Sequence, residues 1–215
     1  MREILFWGAK AQARVLHEAM QGTDLELVAL VDNNCDLSAC TLGVQVLHGE
    51  AGLDGWLEQR KISNELYYAV AVGGDRGRER LNLMDLLQAR GLRALTIVHS
   101  TAFVANNAVI GSGCQILAQA AVCVDAHLGR GVIVNTSASV DHDCKIGDGT
   151  HLAPGVRLAG NVTLGQRVFI GTGAVVLSHI CIGDDSIVGS GAVVVHDVPS
   201  GVTVVGNPAR IVKGR

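Results

Sequence analysis

An aliphatic residue stands at every sixth position in the second half of the chain, from Val98 to Val194. All 17 positions of this series hold Val, Ile or Leu, and no insertion interrupts them. Four residues after each comes a small or β-branched residue, as at Ala108, Cys114 and Thr150. A six-residue unit supplies one short strand that cannot bury its aliphatic side alone, so successive units must stack around a common core. The repeat therefore predicts a parallel β-helix.

A glycine series with a longer spacing sets the shape of that helix. It recurs every 18 residues, which is three hexads, at Gly111, Gly129, Gly147, Gly165 and Gly183. Three short strands per coil give a triangular prism, with glycine favoured where a corner needs unusual backbone angles. Just under six coils fit between residues 98 and 199.

Residues 1–97 follow a different pattern, in which short apolar runs alternate with helical periodicity. The predicted strands are Ile4–Trp7, Leu25–Val31, Leu66–Val72 and Arg93–Val98, and the predicted helices are Lys10–Met20, Leu53–Gln59 and Arg76–Arg90. Strand and helix in alternation predict a parallel sheet flanked by helices. Ligands of such sheets bind beyond the carboxyl ends of the strands, where Gly8, Asp32 and Gly73 stand. We therefore expect two domains: an α/β domain over 1–97 and a β-helix with a C-terminal tail over 98–215.

Composition and charge narrow the function. The chain is 48% hydrophobic but only 3% aromatic, as a narrow prism requires. A net charge of −3 without a basic run argues against nucleic acid or an anionic membrane as partner. No apolar stretch reaches the roughly 18 residues of a membrane span, and the N-terminus lacks the core of a signal peptide. With six cysteines and no CxxC pair, we expect reduced thiols and a cytoplasmic protein.

The hexads themselves carry a family resemblance. IGSGCQ, IGDGTH and IGTGAV, with the ending VPSGVTVVGNPARIVKG, resemble the left-handed β-helix of hexapeptide-repeat acyltransferases. The small N-terminal α/β domain and the stretch VNTSASVDHDCKIGDGTHLAPGVRLAGNVTLG are similar to the sugar N-acetyltransferases of the bacillosamine and perosamine pathways. The related sialic acid O-acetyltransferases are similar too.

The resemblance implies an activity and an assembly. It implies a homotrimer with active sites between subunits and acetyl-CoA in the groove between adjacent β-helices. The N-terminal domain would bind a nucleotide-linked amino sugar. The expected reaction moves the acetyl group of acetyl-CoA to the 4-amino group of a nucleotide-linked 4-amino-4,6-dideoxyhexose. No metal is expected, because no histidine and carboxylate spacing here matches a compact zinc motif.

His142 is the leading candidate for the catalytic base. In the hexad VDHDCK, Val140 is the inward position, so His142 and Asp143 should project outward. A carboxylate beside a histidine orients the imidazole and makes it more basic. The family also has an acidic residue after this histidine, although often the longer glutamate.

Three further residues are assigned to the acyl site by the resemblance. His151 would contact the acyl thioester or the sugar amine, and Gly160 would present a backbone N–H to the thioester carbonyl. Asn135 matches a family asparagine near the active site and could equally cap a corner of the prism.

The nucleotide-sugar site is expected in the N-terminal domain. The family's glycine-rich turn reads FWGAKAQAR here and keeps only Gly8, while GxGxxG is absent. Lys10 and Arg14 could bind the diphosphate in its place, or could be solvated helix charges. Asp32 and Asn33 end the second strand, where the family reads the base or ribose, and Gly73 fills the corresponding turn after the third strand.

Three functions therefore compete. The first is N-acetylation of the nucleotide-linked amino sugar, and the second is O-acetylation of a sugar such as sialic acid. The third is a non-catalytic trimeric scaffold. The His142–Asp143 pair in an uninterrupted helix favours an enzyme.

Overall fold

A five-stranded parallel sheet begins the chain in the computed structural model, which describes residues 1–36, 42–60 and 65–214. Cys40 lies outside these ranges. The sheet has the order β3-β2-β1-β4-β5. Its strands are β1 (Arg2–Trp7), β2 (Leu25–Asp32), β3 (Val46–His48), β4 (Leu66–Val70) and β5 (Arg93–Ala94). β1 lies at the centre, and its apolar run Ile4–Phe6 is fully buried between helices on the two faces.

Three helices flank this sheet: α1 (Ala11–Ala19), α2 (Gly49–Gln59) and α3 (Gly77–Ala89). α2 begins four residues before the predicted start, and β3 was not predicted. The predicted strand Arg93–Val98 is in fact two strands, because only its first part pairs with β4. No helix in the described ranges is long and apolar enough to cross a bilayer.

Seventeen two-residue strands then build a triangular prism, as the hexad repeat predicted. Face 1 contains β6 (Ile97–Val98), β9 (Gln115–Ile116), β12 (Ile133–Val134), β15 (His151–Leu152), β18 (Phe169–Ile170) and β21 (Ile187–Val188). Face 2 contains β7 (Phe103–Val104), β10 (Ala121–Val122), β13 (Ser139–Val140), β16 (Arg157–Leu158), β19 (Val175–Val176) and β22 (Val193–Val194). Face 3 contains β8 (Val109–Ile110), β11 (His127–Leu128), β14 (Lys145–Ile146), β17 (Thr163–Leu164) and β20 (Cys181–Ile182). The hairpin β23 (Val202–Val205) and β24 (Arg210–Gly214) extends face 1.

Each strand pairs with residues 18 positions away, so equivalent side chains stack along the prism. Val140, for example, pairs with Val122 on one side and Leu158 on the other. These aliphatic residues and the small residues four positions on form one core. Val98 begins the series and is 43% exposed, because it lies at the open end.

The α/β domain packs on face 1. Ile97, Leu117 and Ile133 of the prism are buried in one cluster with Phe6 and Leu16 of the domain. The corner between faces 2 and 3 is therefore turned away from the α/β domain, since in a triangular prism it lies opposite face 1.

Candidate active site

His142 lies on the turn 141–144, at the corner between faces 2 and 3. Its side chain is 50% exposed, in agreement with the outward direction predicted from the hexad. The next residue, Asp143, has φ +59°, a left-handed conformation that aspartate tolerates better than most residues. Its Oδ2 lies 2.8 Å from Nδ1 of His142. The shorter aspartate therefore reaches the imidazole.

This hydrogen bond defines the protonation of His142. A carboxylate can only accept, so Nδ1 carries the proton and Nε2 keeps its lone pair. The hydrogen bond that Nδ1 donates to Asp143 raises the pKa of His142 above its ordinary value, and the nearby charge of Asp141 adds to the effect. Nε2 is therefore a stronger base than in an isolated histidine.

Gly160 lies one coil further along the same corner, 18 residues after His142, and is buried. A Cβ on Gly160 would stand 2.4 Å from Nε2 of His142 and 2.5 Å from Cε1. Glycine at this position therefore makes room for the imidazole. The Gly160 N–H has no hydrogen-bond partner in the described part of the chain. This N–H is therefore available to a ligand oxygen.

His151 belongs to a second cluster, on face 1 beneath the α/β domain. It is 5% exposed, and its Nδ1 lies 3.1 Å from the carbonyl oxygen of Gly74. Its Nε2 lies 3.1 Å from Nδ2 of Asn135. The Asn135 oxygen accepts the Thr136 N–H, which leaves the amide nitrogen to donate to His151. Burial, reinforced by the charge of Arg80, lowers the pKa of His151 to about 4, so the ring is neutral.

A cavity of about 280 Å³ lies at the carboxyl ends of β1 and β4. Five of the residues predicted for the nucleotide sugar line it: Gly8, Lys10, Asp32, Asn33 and Gly73. Trp7, Gln12, Arg76 and Glu79 also line it, and the sequence did not single them out. The first residue of α1 is beside the cavity, and its N-cap, Lys10, makes no side-chain cap hydrogen bond. The helix N-terminus thus offers backbone donors to an anion.

Two of these residues shape the turn that follows β1. Gly8 has φ +108°, and a Cβ there would lie 2.6 Å from the carbonyl oxygen of Ala71. One carboxylate oxygen of Asp32 accepts a hydrogen bond from the Ala9 N–H, and the other accepts one from the Asn34 N–H, both at 2.9 Å. Asp32 therefore fixes the turns after β1 and β2, a role that only the folded pairing reveals.

Arg14 is separated from the other predicted nucleotide-sugar residues. It lines a different cavity, between α1 and face 1, with Val15, His99 and Leu117.

No group of three His, Cys, Asp or Glu side chains suited to a metal ion occurs in residues 1–36, 42–60 and 65–214.

The residues predicted for catalysis and for the acyl site thus form two groups on opposite sides of the prism. His142, Asp143 and Gly160 lie on the corner between faces 2 and 3, whereas His151 and Asn135 lie on the side that contacts the α/β domain. One copy of the chain does not bring the two groups together.

The raised pKa of His142 predicts a pH effect. Since a base must be deprotonated, activity falls as the pH drops through that pKa. In Asp143→Asn the carboxylate is lost and the pKa falls, so the acidic limb of kcat/KM moves to lower pH, with a loss of about tenfold at the plateau. Asp125→Asn is the matched control, since Asp125 has φ +56° at the same corner one coil earlier. An acidic limb that stays in place or moves upward would contradict this role of Asp143.

Comparison with known proteins supports the fold and identifies the family. Residues 125–160 and 161–196 match the family described as bacterial transferase hexapeptide (six repeats). No curated protein sequence matches the chain significantly. Several solved structures match it over nearly its whole length.

The first of these relatives is a variant of perosamine N-acetyltransferase from Caulobacter crescentus, in complex with CoA and GDP-perosamine. It is 33% identical, with 100% of this chain and 98% of that chain covered and a TM-score of 0.91. The acetyltransferase domain of PglB from Neisseria gonorrhoeae, in complex with acetyl coenzyme A, is 32% identical, with 98% and 99% covered and a TM-score of 0.86. WeeI from Acinetobacter baumannii is 29% identical, with 99% and 100% covered and a TM-score of 0.80. By its repeat, its two-domain architecture and this similarity, the chain belongs to the hexapeptide-repeat sugar acetyltransferases.

Proposed function

We propose that this chain transfers the acetyl group of acetyl-CoA to the 4-amino group of a nucleotide-linked 4-amino-4,6-dideoxyhexose. The observation that carries the proposal is the His142–Asp143 pair, which leaves a basic Nε2 at an exposed corner beside Gly160. The relative that was solved with CoA and GDP-perosamine is an N-acetyltransferase, which favours an amine over a hydroxyl as the acceptor.

The residues of the corner suit each step of the transfer. The neutral amine attacks the thioester carbonyl, a C–N bond forms, and Nε2 of His142 takes the proton that the nitrogen loses. The oxyanion that develops on the carbonyl accepts a hydrogen bond from the free N–H of Gly160. The C–S bond then breaks, and His142 returns the proton to the CoA sulfur. Asp143 stabilises the imidazolium between these two proton transfers.

The cavity of the α/β domain suits the nucleotide part of the acceptor. The N-terminus of α1 and the Lys10 ammonium would bind the diphosphate. Asn33 and the free lone pairs of Asp32 would bind the ribose or the base, and Gly73 leaves room in the cavity wall. Arg14, in its separate cavity, has no place in this set.

The position of the two groups supports a homotrimer with sites between subunits. His142 and His151 are nine residues apart, which is half a coil, or a difference of about 2.4 Å in height for strands about 4.8 Å apart. Rotation about an axis parallel to the prism keeps heights unchanged. A threefold arrangement that packs this corner against face 1 of the next copy would therefore place His142 within about 2.4 Å of the height of that copy's His151.

The free cysteines agree with a cytoplasmic protein. All five cysteines in the described ranges are unpaired thiols, as is usual in a reducing compartment.

The test combines binding and turnover. Thermal stability is measured with a panel of GDP, UDP and dTDP, and thiol release from acetyl-CoA is measured with GDP-perosamine and other nucleotide-linked amino sugars. We expect at least one nucleoside diphosphate to raise the melting temperature and the corresponding amino sugar to be acetylated. A chain that binds neither the nucleotides nor acetyl-CoA would be a scaffold. Turnover with sialic acid and with no amino sugar would favour O-acetylation.

A further inference from the structure

Arg80 is a cation buried inside the interface between the two domains. It lies on α3, its side chain is 0% exposed, and it makes no ion pair in the described ranges. Burial lowers its pKa to about 10, so it remains charged at neutral pH. Burying a charge is costly unless the protein supplies strong hydrogen bonds in return.

Backbone carbonyls from both domains supply those bonds. Nη1 donates to the Val72 oxygen at 2.9 Å, in the α/β domain. Nε donates to the Gly131 oxygen at 2.8 Å, and Nη2 donates to the Gly149 oxygen one coil further along the prism. One planar guanidinium therefore joins the end of β4 to two successive coils of the prism. A flexible apolar side chain would fill the same space, but it would form no hydrogen bond between the two domains.

Val72, the α/β-domain residue that Arg80 binds, lies in the wall of the cavity that we assign to the nucleotide sugar. Val72 and Gly73 both line that cavity. On the far side of Gly73, the Gly74 oxygen accepts a hydrogen bond from His151. The segment 72–74 is therefore tied to the prism at both ends, by Arg80 at Val72 and by His151 at Gly74. Through His151, it also connects to Asn135 of the acyl-site group.

We propose that Arg80 is a positioning residue for acetyl transfer, which holds the 72–74 segment, and with it the bound acceptor, in register with the coil that carries His151. The inference rests on the proposed function, since it assigns the cavity to the acceptor sugar. Arg80 itself touches neither substrate. Its effect is to keep the α/β domain from shifting relative to the prism, so its loss should disturb the cavity wall at residues 72–74 and weaken binding of the acceptor.

Two substitutions and a neighbouring control test this role. Arg80→Lys keeps the charge but loses the planar guanidinium that donates to three carbonyl groups. Arg80→Met loses the charge and the guanidinium. Arg78→Met is the matched control on the same helix, because the ion pair that Arg78 makes in the described ranges is the exposed one to Asp185, at 3.3 Å. For all variants we measure the melting temperature, the KM for GDP-perosamine, the KM for acetyl-CoA and hydrogen–deuterium exchange over residues 72–75.

The expected result is a selective loss at the acceptor. In Arg80→Met the KM for GDP-perosamine rises about tenfold or more while the KM for acetyl-CoA stays within about twofold, and exchange over 72–75 becomes faster. The acceptor KM and the exchange rate of Arg80→Lys lie between those of Arg80→Met and the wild type. Both quantities in Arg78→Met match the wild type. If Arg80→Met does not fold, Arg80→Lys at a native melting temperature decides the matter by the same measurements.

The contrary outcomes are distinct from a failure of the proposed function. Unchanged exchange and an unchanged acceptor KM in a folded Arg80 variant overturn the positioning role, as does an equal rise in both KM values. A wild-type protein that acetylates no nucleotide-linked amino sugar overturns the proposed function, and the positioning role of Arg80 in acetyl transfer falls with it.

Discussion

His142→Ala is expected to lower kcat for acetyl transfer by about 10²- to 10⁴-fold, the range that general bases contribute. The side chain is half-exposed and belongs to no hydrophobic cluster, so the melting temperature should stay near that of the wild type. The KM for acetyl-CoA should change little, because the imidazole acts on the amine proton. Thiol release under saturating substrates measures the effect. Unchanged turnover would remove His142 from the mechanism.

Mixed assemblies extend this prediction to the site between subunits. The partner variant is Gly73→Leu, which places a large side chain in the wall of the sugar cavity. Each variant alone should be nearly inactive. Co-expressed in equal amounts, they should recover up to about a quarter of wild-type activity, because a site formed by two copies is intact when each copy supplies its unaltered half. A site built within one chain would recover nothing.

Gly160→Ala is expected to reduce kcat by about 100-fold, since it displaces the base. The φ of Gly160 is not in the left-handed region, so alanine meets no backbone strain there. Its Cβ would instead overlap Nε2 of His142, which stands 2.4 Å from that position, and the imidazole must swing away. The loss should appear in kcat at a near-native melting temperature.

The double variant separates this cause from a general defect of the corner. Once His142 is replaced by alanine, the space above Gly160 is free, so adding Gly160→Ala should cost almost nothing more. Such non-additivity is the signature of two residues that act as one unit. Losses that multiply in His142→Ala/Gly160→Ala would indicate that the added methyl group of residue 160 acts independently of the imidazole.

The sequence predicted the prism more reliably than the α/β domain, for a physical reason. In a stacked coil the partner of each residue is 18 positions away, so local periodicity contains the tertiary pairing. In the α/β domain, the pairing of strands depends on the tertiary fold and does not follow from a fixed spacing along the chain. Residues 93–98 show the difference: Arg93 and Ala94 pair with Tyr67 and Tyr68, whereas Ile97 and Val98 pair with the next coil of the prism. One predicted strand contains both sets.

The candidate site divides in the same way. The hexad phase was enough to predict the outward direction of His142 and Asp143. The clearance above Gly160 was also accessible, because residue 160 is 18 positions after residue 142 and must lie next to it on the corner. Arg80 could not have been found, since its partners are backbone carbonyls that every sequence contains. The position of Asp32 beneath two backbone N–H groups is likewise a product of folding.

The unbroken prism also constrains how this chain can change in length. A six-residue insertion between His142 and His151 would rotate every later strand onto the neighbouring face and uncouple the two histidines. An insertion of 18 residues there would restore the faces but separate the histidines by a further strand spacing of about 4.8 Å. Towards the C-terminus, after the coils that contact the α/β domain, whole coils can be gained or lost without moving either histidine. We therefore expect natural variants of this architecture to differ in length by multiples of 18 residues, and to keep nine residues between the two histidines.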